Sequence, residues 1–138
     1  MKNEKREIAV LIPYKIENGE VHVFLQKRSE DAKRLPDHFG FFGGGAKVNE
    51  TVEEAMLREI KEELNYKPKK YTYLGHFDFS THSIDAFYFE SPDDFENDIT
   101  IIEGDYGKYF TDQEALDEPK LIDEDKVVLR SLFKNLQS

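Results

Sequence analysis

At 138 residues with 38% hydrophobic content, the chain has the size of one compact domain, and no apolar run approaches the roughly 20 residues that span a bilayer. Its formal net charge of −10, from 29 acidic against 19 basic side chains, argues against nonspecific attraction to duplex nucleic acid or anionic membrane. Cysteine is absent, which excludes a disulfide framework, a cysteine-based zinc site and a thiol nucleophile.

The opening Met1-Lys2-Asn3-Glu4-Lys5-Arg6-Glu7 leads into a strand rather than a signal-peptide core, so a soluble, cytoplasmic protein is expected. Ile8 to Ile12 and Val21 to Leu25 are apolar, β-branched runs on either side of Asn18-Gly19, which predicts a hairpin with a loop slightly longer than two residues. A polar stretch from Ser29 to Asp37 follows, then a short pleated segment over His38-Phe39-Gly40-Phe41-Phe42.

Thr51 to Leu64 reads as a helix. Thr51 and Glu54 fit a capping box, Val52, Met56, Ile60 and Leu64 recur every four residues, and Asn65 and Pro68 suit its end. Lys70 to Phe79 and Ile84 to Phe89 read as a second hairpin joined across Ser80-Thr81-His82-Ser83. Ile99 to Ile102 reads as a short strand, and Asp123 to Leu136 as a closing helix that packs Val127, Leu132, Phe133 and Leu136. No repeat or Pro/Gly-rich linker interrupts the pattern, so residues 1–138 read as a single α+β domain with a mixed sheet flanked by helices. Phe39, Phe41, Phe87 and Phe89 suit a core, a nucleobase pocket or a homodimer contact, the core being the expected use.

Chemistry-bearing residues concentrate between Gly43 and Tyr66. At about 100° per residue, Glu59, Glu62 and Glu63 fall on one helix face. Like charges so close cost an isolated helix a few tenths of a kcal/mol per pair, a penalty a cation removes. Magnesium, with manganese as the alternative, suits such carboxylates and recruits substrate phosphate. Gly43, Gly44 and Gly45 let backbone approach a ligand closely near a helix N-terminus that favours anions. An acidic helix behind a glycine turn is also the ordinary appearance of a solvated face, so this pattern by itself leaves both readings open.

The joint spacing resembles the Nudix hydrolase signature: Gly44, five residues, Glu50, seven residues, then Arg58-Glu59-Ile60-Lys61-Glu62-Glu63-Leu64 closed by Asn65 and Tyr66. Asn65 stands where the family has glycine and Tyr66 where an aliphatic residue is usual, while Lys47 and Asn49 replace a common glutamate and glycine. The resemblance implies a Nudix-type α/β/α sandwich and metal-assisted hydrolysis of a nucleoside diphosphate linked to another group. It also implies metal held by Glu59, Glu62, Glu63 and the carbonyl of Gly43, with Arg58 anchoring Glu59 and Glu62. The proton acceptor is left between Glu62 or Glu63 and a later glutamate, for which Glu103 is the candidate. Lys27 and Arg28 are candidate phosphate contacts alongside Gly44 and Gly45, and His38 and His82 are candidates to line the cavity.

No submotif selects a substrate, and a nucleoside triphosphate giving a monophosphate is the expected one. Isopentenyl-diphosphate isomerases share this fold but need a catalytic cysteine, which this chain lacks. A noncatalytic nucleotide-binding or regulatory module is the alternative.

Overall fold

The computed structural model describes residues 5–137 of the chain, so the first four residues of the Met1–Glu7 lead-in lie outside it. Seven strands form one mixed sheet: β1 (Arg6–Glu17), β2 (Glu20–Lys27), β3 (Phe39–Gly40), β4 (Phe42–Gly45), β5 (Thr72–Asp78), β6 (His82–Glu90) and β7 (Tyr106–Thr111). The helices are α1 (Val52–Leu64), α2 (Phe95–Asp98), α3 (Asp112–Asp117) and α4 (Asp123–Gln137). No described helix is long and apolar enough to cross a membrane.

The sheet runs β3-β2-β1-β6-β5, with β4 paired to β1 and β7 to β2. Strand β1 lies at its centre because Ala9, Val10, Leu11 and Ile12 are all apolar and can be buried on both faces. Alternation along the pleat sends Val10 and Ile12 to a core shared with α3 and α4, and Ala9 and Leu11 to a core shared with α1 and α2. Phe39 and Phe41 join the first core, Phe87 and Phe89 the second, as the core reading expected.

The first hairpin is tighter than its sequence suggested. Asn18 (φ 52°) and Gly19 (φ 78°) close a two-residue turn, with Glu17 opposite Glu20 and strands extending well past the apolar runs. Beyond the pairing of Tyr14 with Val23 the two strands part, and residues 39–45 fill the fork: β3 pairs with β2, and β4 pairs with β1 from Ile8–Gly45 to Leu11–Phe42. This fork carries the glycine strand to the site.

Helix α1 begins at Thr51, whose hydroxyl accepts from Glu54 N while the Glu54 side chain accepts from Thr51 N, and it ends on left-handed Asn65 (φ 49°). In the second hairpin His82 already belongs to β6, which runs parallel to β1, and the turn is confined to residues 79–81.

Three expectations need correction. Residues Ile99 to Ile102 form no strand: Ile99 and Ile101 pack on the second core, but Thr100 N and Ile102 N donate to Leu64 O and Glu63 O at the end of α1. The strand in this region is β7, where Tyr106, Lys108 and Thr111 dilute the apolar signal that alternation should carry. In α4, Val127 is 44% exposed, and Val128 and Leu129 take its place in the core beside Leu132 and Phe133.

Candidate active site

At the fork, a cavity of about 990 Å³ opens between β4, α1, the loop after β2 and the start of α4. Glu59, Glu62, Glu63 and Glu103 line it together with Gly43, Gly44, Gly45 and Arg28, so eight of the residues singled out in the sequence meet here. His82 also faces it, whereas His38 turns its ring nitrogen to the carbonyl of Pro36.

Packing dictates two of the glycines. A Cβ on Gly43 would lie 2.2 Å from the Ala9 carbonyl, and φ is +143°; a Cβ on Gly44 would lie 2.3 Å from a carboxylate oxygen of Glu59. Gly45 is freer, its nearest side-chain neighbour being Arg6 Nη2 at 3.6 Å. Strand β4 therefore presents bare backbone directly against the acidic face of α1.

The three helix carboxylates have separate surroundings. Glu63 shares the buried phase of Met56 and Ile60, is 4% exposed, and accepts from Gly43 N at 3.0 Å. Burial pushes its carboxyl up to about 8, the Gly43 amide opposing and the charges of Glu59 and Glu103 adding. Glu59 is also raised, by burial first, with Arg58 opposing and Glu62 adding. Glu62 is half exposed and turned to Arg58 Nη1 at 3.2 Å.

Arg58 does more than steady Glu59 and Glu62. Its Nε and Nη2 donate to the two carboxylate oxygens of Glu50 at 2.7 and 3.0 Å, and Nη2 also donates to the carbonyl of Gly45. Glu59 lies at the edge of its reach, 3.4 Å from Nη1. Glu50, which also accepts from Lys47 N, is held down to about 2, chiefly by the bond from Arg58. The two signature residues Glu50 and Arg58 thus lock the loop after β4 onto α1.

Lys27 is not among the residues facing the cavity. Its ammonium pairs with Asp37 and lies 3.9 Å from Asp105, packed beside the Tyr106 ring. Arg28 does face it, with Nε donating to the carbonyl of Arg34 at 2.7 Å.

Asp125, which sequence reasoning passed over, forms part of the cavity near Gly40 and Arg28. It is 7% exposed, its side chain makes no hydrogen bond or ion pair to any described residue, and burial pushes it up to about 7, with Glu124 adding and Arg28 opposing. A signal was present. Asp125 shares the helix phase of Val128, Leu129 and Leu132, where a carboxylate is out of place unless it serves a ligand or a partner.

The donor set suits a divalent cation: Glu59, Glu62, Glu63 and Glu103 line one cavity, Glu59 and Glu63 are raised by burial, and Arg58 is committed to Glu50. Among the described residues no three His, Cys, Asp or Glu side chains stand in a metal-holding arrangement, because Glu62 is drawn to Arg58 and Glu63 to Gly43.

Comparison with known proteins gives a family match and a consistent set of folds. A family model described as NUDIX domain matches residues 5–132. The 8-oxo-dGTP diphosphatase of Escherichia coli (strain K12) is 33% identical over 69 residues, which is 50% of each chain, so the match spans about half the length of that relative. Among solved structures, a mutT/nudix family protein from Listeria innocua superposes with a TM-score of 0.76 at 23% identity, covering 99% of this chain and 96% of that one. The NUDIX domain of Shewanella oneidensis NrtR, solved with ADP ribose, gives 0.74 at 14% identity over 98% and 90%.

Proposed function

The chain belongs to the NUDIX family, and from that premise we propose that it hydrolyses a phosphoanhydride in a nucleoside diphosphate linked to another group, with a nucleoside triphosphate giving a monophosphate as the substrate. The observation that carries the reading is a single cavity that joins an acidic, glycine-walled end to a partly apolar region containing Asp125, whose side chain makes no hydrogen bond or ion pair to a described residue. The first suits a cation-bound diphosphate; the second suits a ring whose edge offers hydrogen bonds.

Glu59, Glu62 and Glu63, with the carbonyl of Gly43, would hold magnesium or manganese. Such an ion, when bound, neutralises the diphosphate and acidifies a water. Arg58 and Glu50 keep the loop and the helix in register, so the carboxylates need little reorganisation. Arg28 offers its remaining guanidinium donors to a phosphate, and Gly44 and Gly45 allow a close approach. Glu103 takes the proton of the attacking water: it lines the cavity, its charge acts on both Glu59 and Glu63, and its carboxylate makes no hydrogen bond or ion pair to a described residue. Asp125, raised to about 7 by burial and so present in both protonation states at neutral pH, can donate to a nucleobase edge when protonated and accept from it in either state.

The test is a panel of nucleoside triphosphates, including an oxidised guanine nucleotide suggested by the Escherichia coli relative, with sugar nucleotides and dinucleoside polyphosphates, each assayed with magnesium. We expect monophosphate and diphosphate from at least one triphosphate. Saturable nucleotide binding with no turnover on any member, at saturating metal, would instead establish a noncatalytic binding module.

A further inference from the structure

Glu103 lies on an irregular segment between α2 and β7, so its position depends on whatever fastens that segment. One side is tied to α1. Thr100 N donates to Leu64 O at 2.9 Å and Ile102 N to Glu63 O at 2.8 Å, using carbonyls at the helix end that lack intrahelical partners. The other side is tied to β2. Asp105 N donates to Lys27 O at 2.8 Å, and Gln26 Nε2 donates to the backbone carbonyl of Glu103 itself at 2.9 Å.

Gln26 is 4% exposed and lines the cavity. It is the one side-chain donor in this set of ties, and it reaches the residue whose carboxylate matters. The adjoining Gly104 shows how closely the two pieces meet: φ is +88°, and a Cβ there would lie 2.9 Å from both Gln26 Nε2 and the Lys27 carbonyl. The Glu103 peptide is thus clamped between a β-strand and the C-terminal end of the helix bearing Glu59 and Glu63.

We propose that Gln26 is a positioning residue for the reaction, fixing the Glu103 backbone so that its carboxylate is presented to the attacking water opposite the helix glutamates. The inference rests on the reading of Glu103 as proton acceptor. A Gln26 that merely satisfies a buried carbonyl would influence stability; a Gln26 that acts through Glu103 influences turnover, and only while Glu103 can take a proton.

The test uses the full chain with magnesium and the best substrate of the panel. Gln26→Leu should lower kcat roughly 10- to 100-fold, the range typical of lost supporting hydrogen bonds, with KM nearly unchanged. On a Glu103→Gln background it should lower kcat no further. Gly104→Ala, which drives a Cβ onto the Lys27 carbonyl, should act in the same direction. Amide exchange gives a readout independent of activity: Gln26→Leu should deprotect Ile102 and Asp105 while the interior of α1 stays protected. Should Leu prevent folding, Gln26→Met replaces it with a chain of similar length. Wild-type kcat in Gln26→Leu, losses that multiply in the double variant, or unchanged exchange at Ile102 and Asp105 would each overturn the proposal. Wild-type kcat in Glu103→Gln would overturn the proton-acceptor reading and this inference with it, whereas a slow Glu103→Gln beside a normal Gln26→Leu would overturn this inference alone.

Discussion

Single residues in this cavity are governed more by burial than by their positions in a motif. Asp125 shows it most clearly, because its folded pKa of about 7 lies well above the ordinary 3.8 and no described hydrogen bond or ion pair offsets the burial. A carboxyl raised in this way contributes stability that is fully present below its unfolded pKa and is lost as pH rises through its folded pKa, since the unfolded chain releases the proton first. Asp125→Asn, which cannot ionise, should therefore gain on the wild type from about pH 4 to pH 7 and keep its advantage above that, by on the order of 1 to 4 kcal/mol. Melting temperatures of both proteins across this window check it. A constant difference between them would mean that the carboxyl titrates as it does in the unfolded chain.

Elements in this chain owe their limits to local chemistry and their existence to packing. Helix α1 is bounded by a Thr51–Glu54 capping box and by Asn65 in the left-handed conformation, the second standing where the family signature has glycine. Asparagine tolerates that conformation through local hydrogen bonding, whereas a β-branched side chain crowds the carbonyl that follows. Asn65→Gly should thus leave urea stability nearly unchanged, while Asn65→Val should cost about 1 to 2 kcal/mol. Equal losses in the two variants would place the importance of Asn65 in its side chain rather than its backbone. The segment from Ile99 to Ile102 teaches the converse: its apolar residues suit a strand and do reach the core, but its amides find the free carbonyls of α1 before any strand edge.

At the level of the whole molecule, one sheet separates two cores. Phe42 belongs to the side of α1 and α2, Leu129 to the side of α3 and α4, and each is fully buried. Phe42→Ala should cost about 3 to 5 kcal/mol and Leu129→Ala about 2 to 5 kcal/mol. Because the two sites lie on opposite faces, their losses should add to within roughly 0.5 kcal/mol, and unfolding in urea should remain a single transition. Two separate transitions would show that the layers fold independently, against the continuity of β1 between them.

Local pattern was enough to determine α1, its caps, the hairpin signal at Asn18-Gly19 and the meeting of glycines with Glu59, Glu62 and Glu63, because helix periodicity and turn chemistry act over a few neighbouring residues. Spacing also made Glu50 and Arg58 visible as signature residues, though not as the bidentate pair that joins loop to helix across eight positions. What only the tertiary structure decided is whatever depends on distant segments arriving at one place. Lys27 turns to Asp37 and Asp105 rather than to the cavity, Gln26 meets Glu103 across 77 positions, and Asp125 reaches the same cavity as Glu63 from the far end of the chain. Such encounters follow from the fork between β1 and β2 and from the burial of the closing helix, neither of which is encoded in any short stretch of residues.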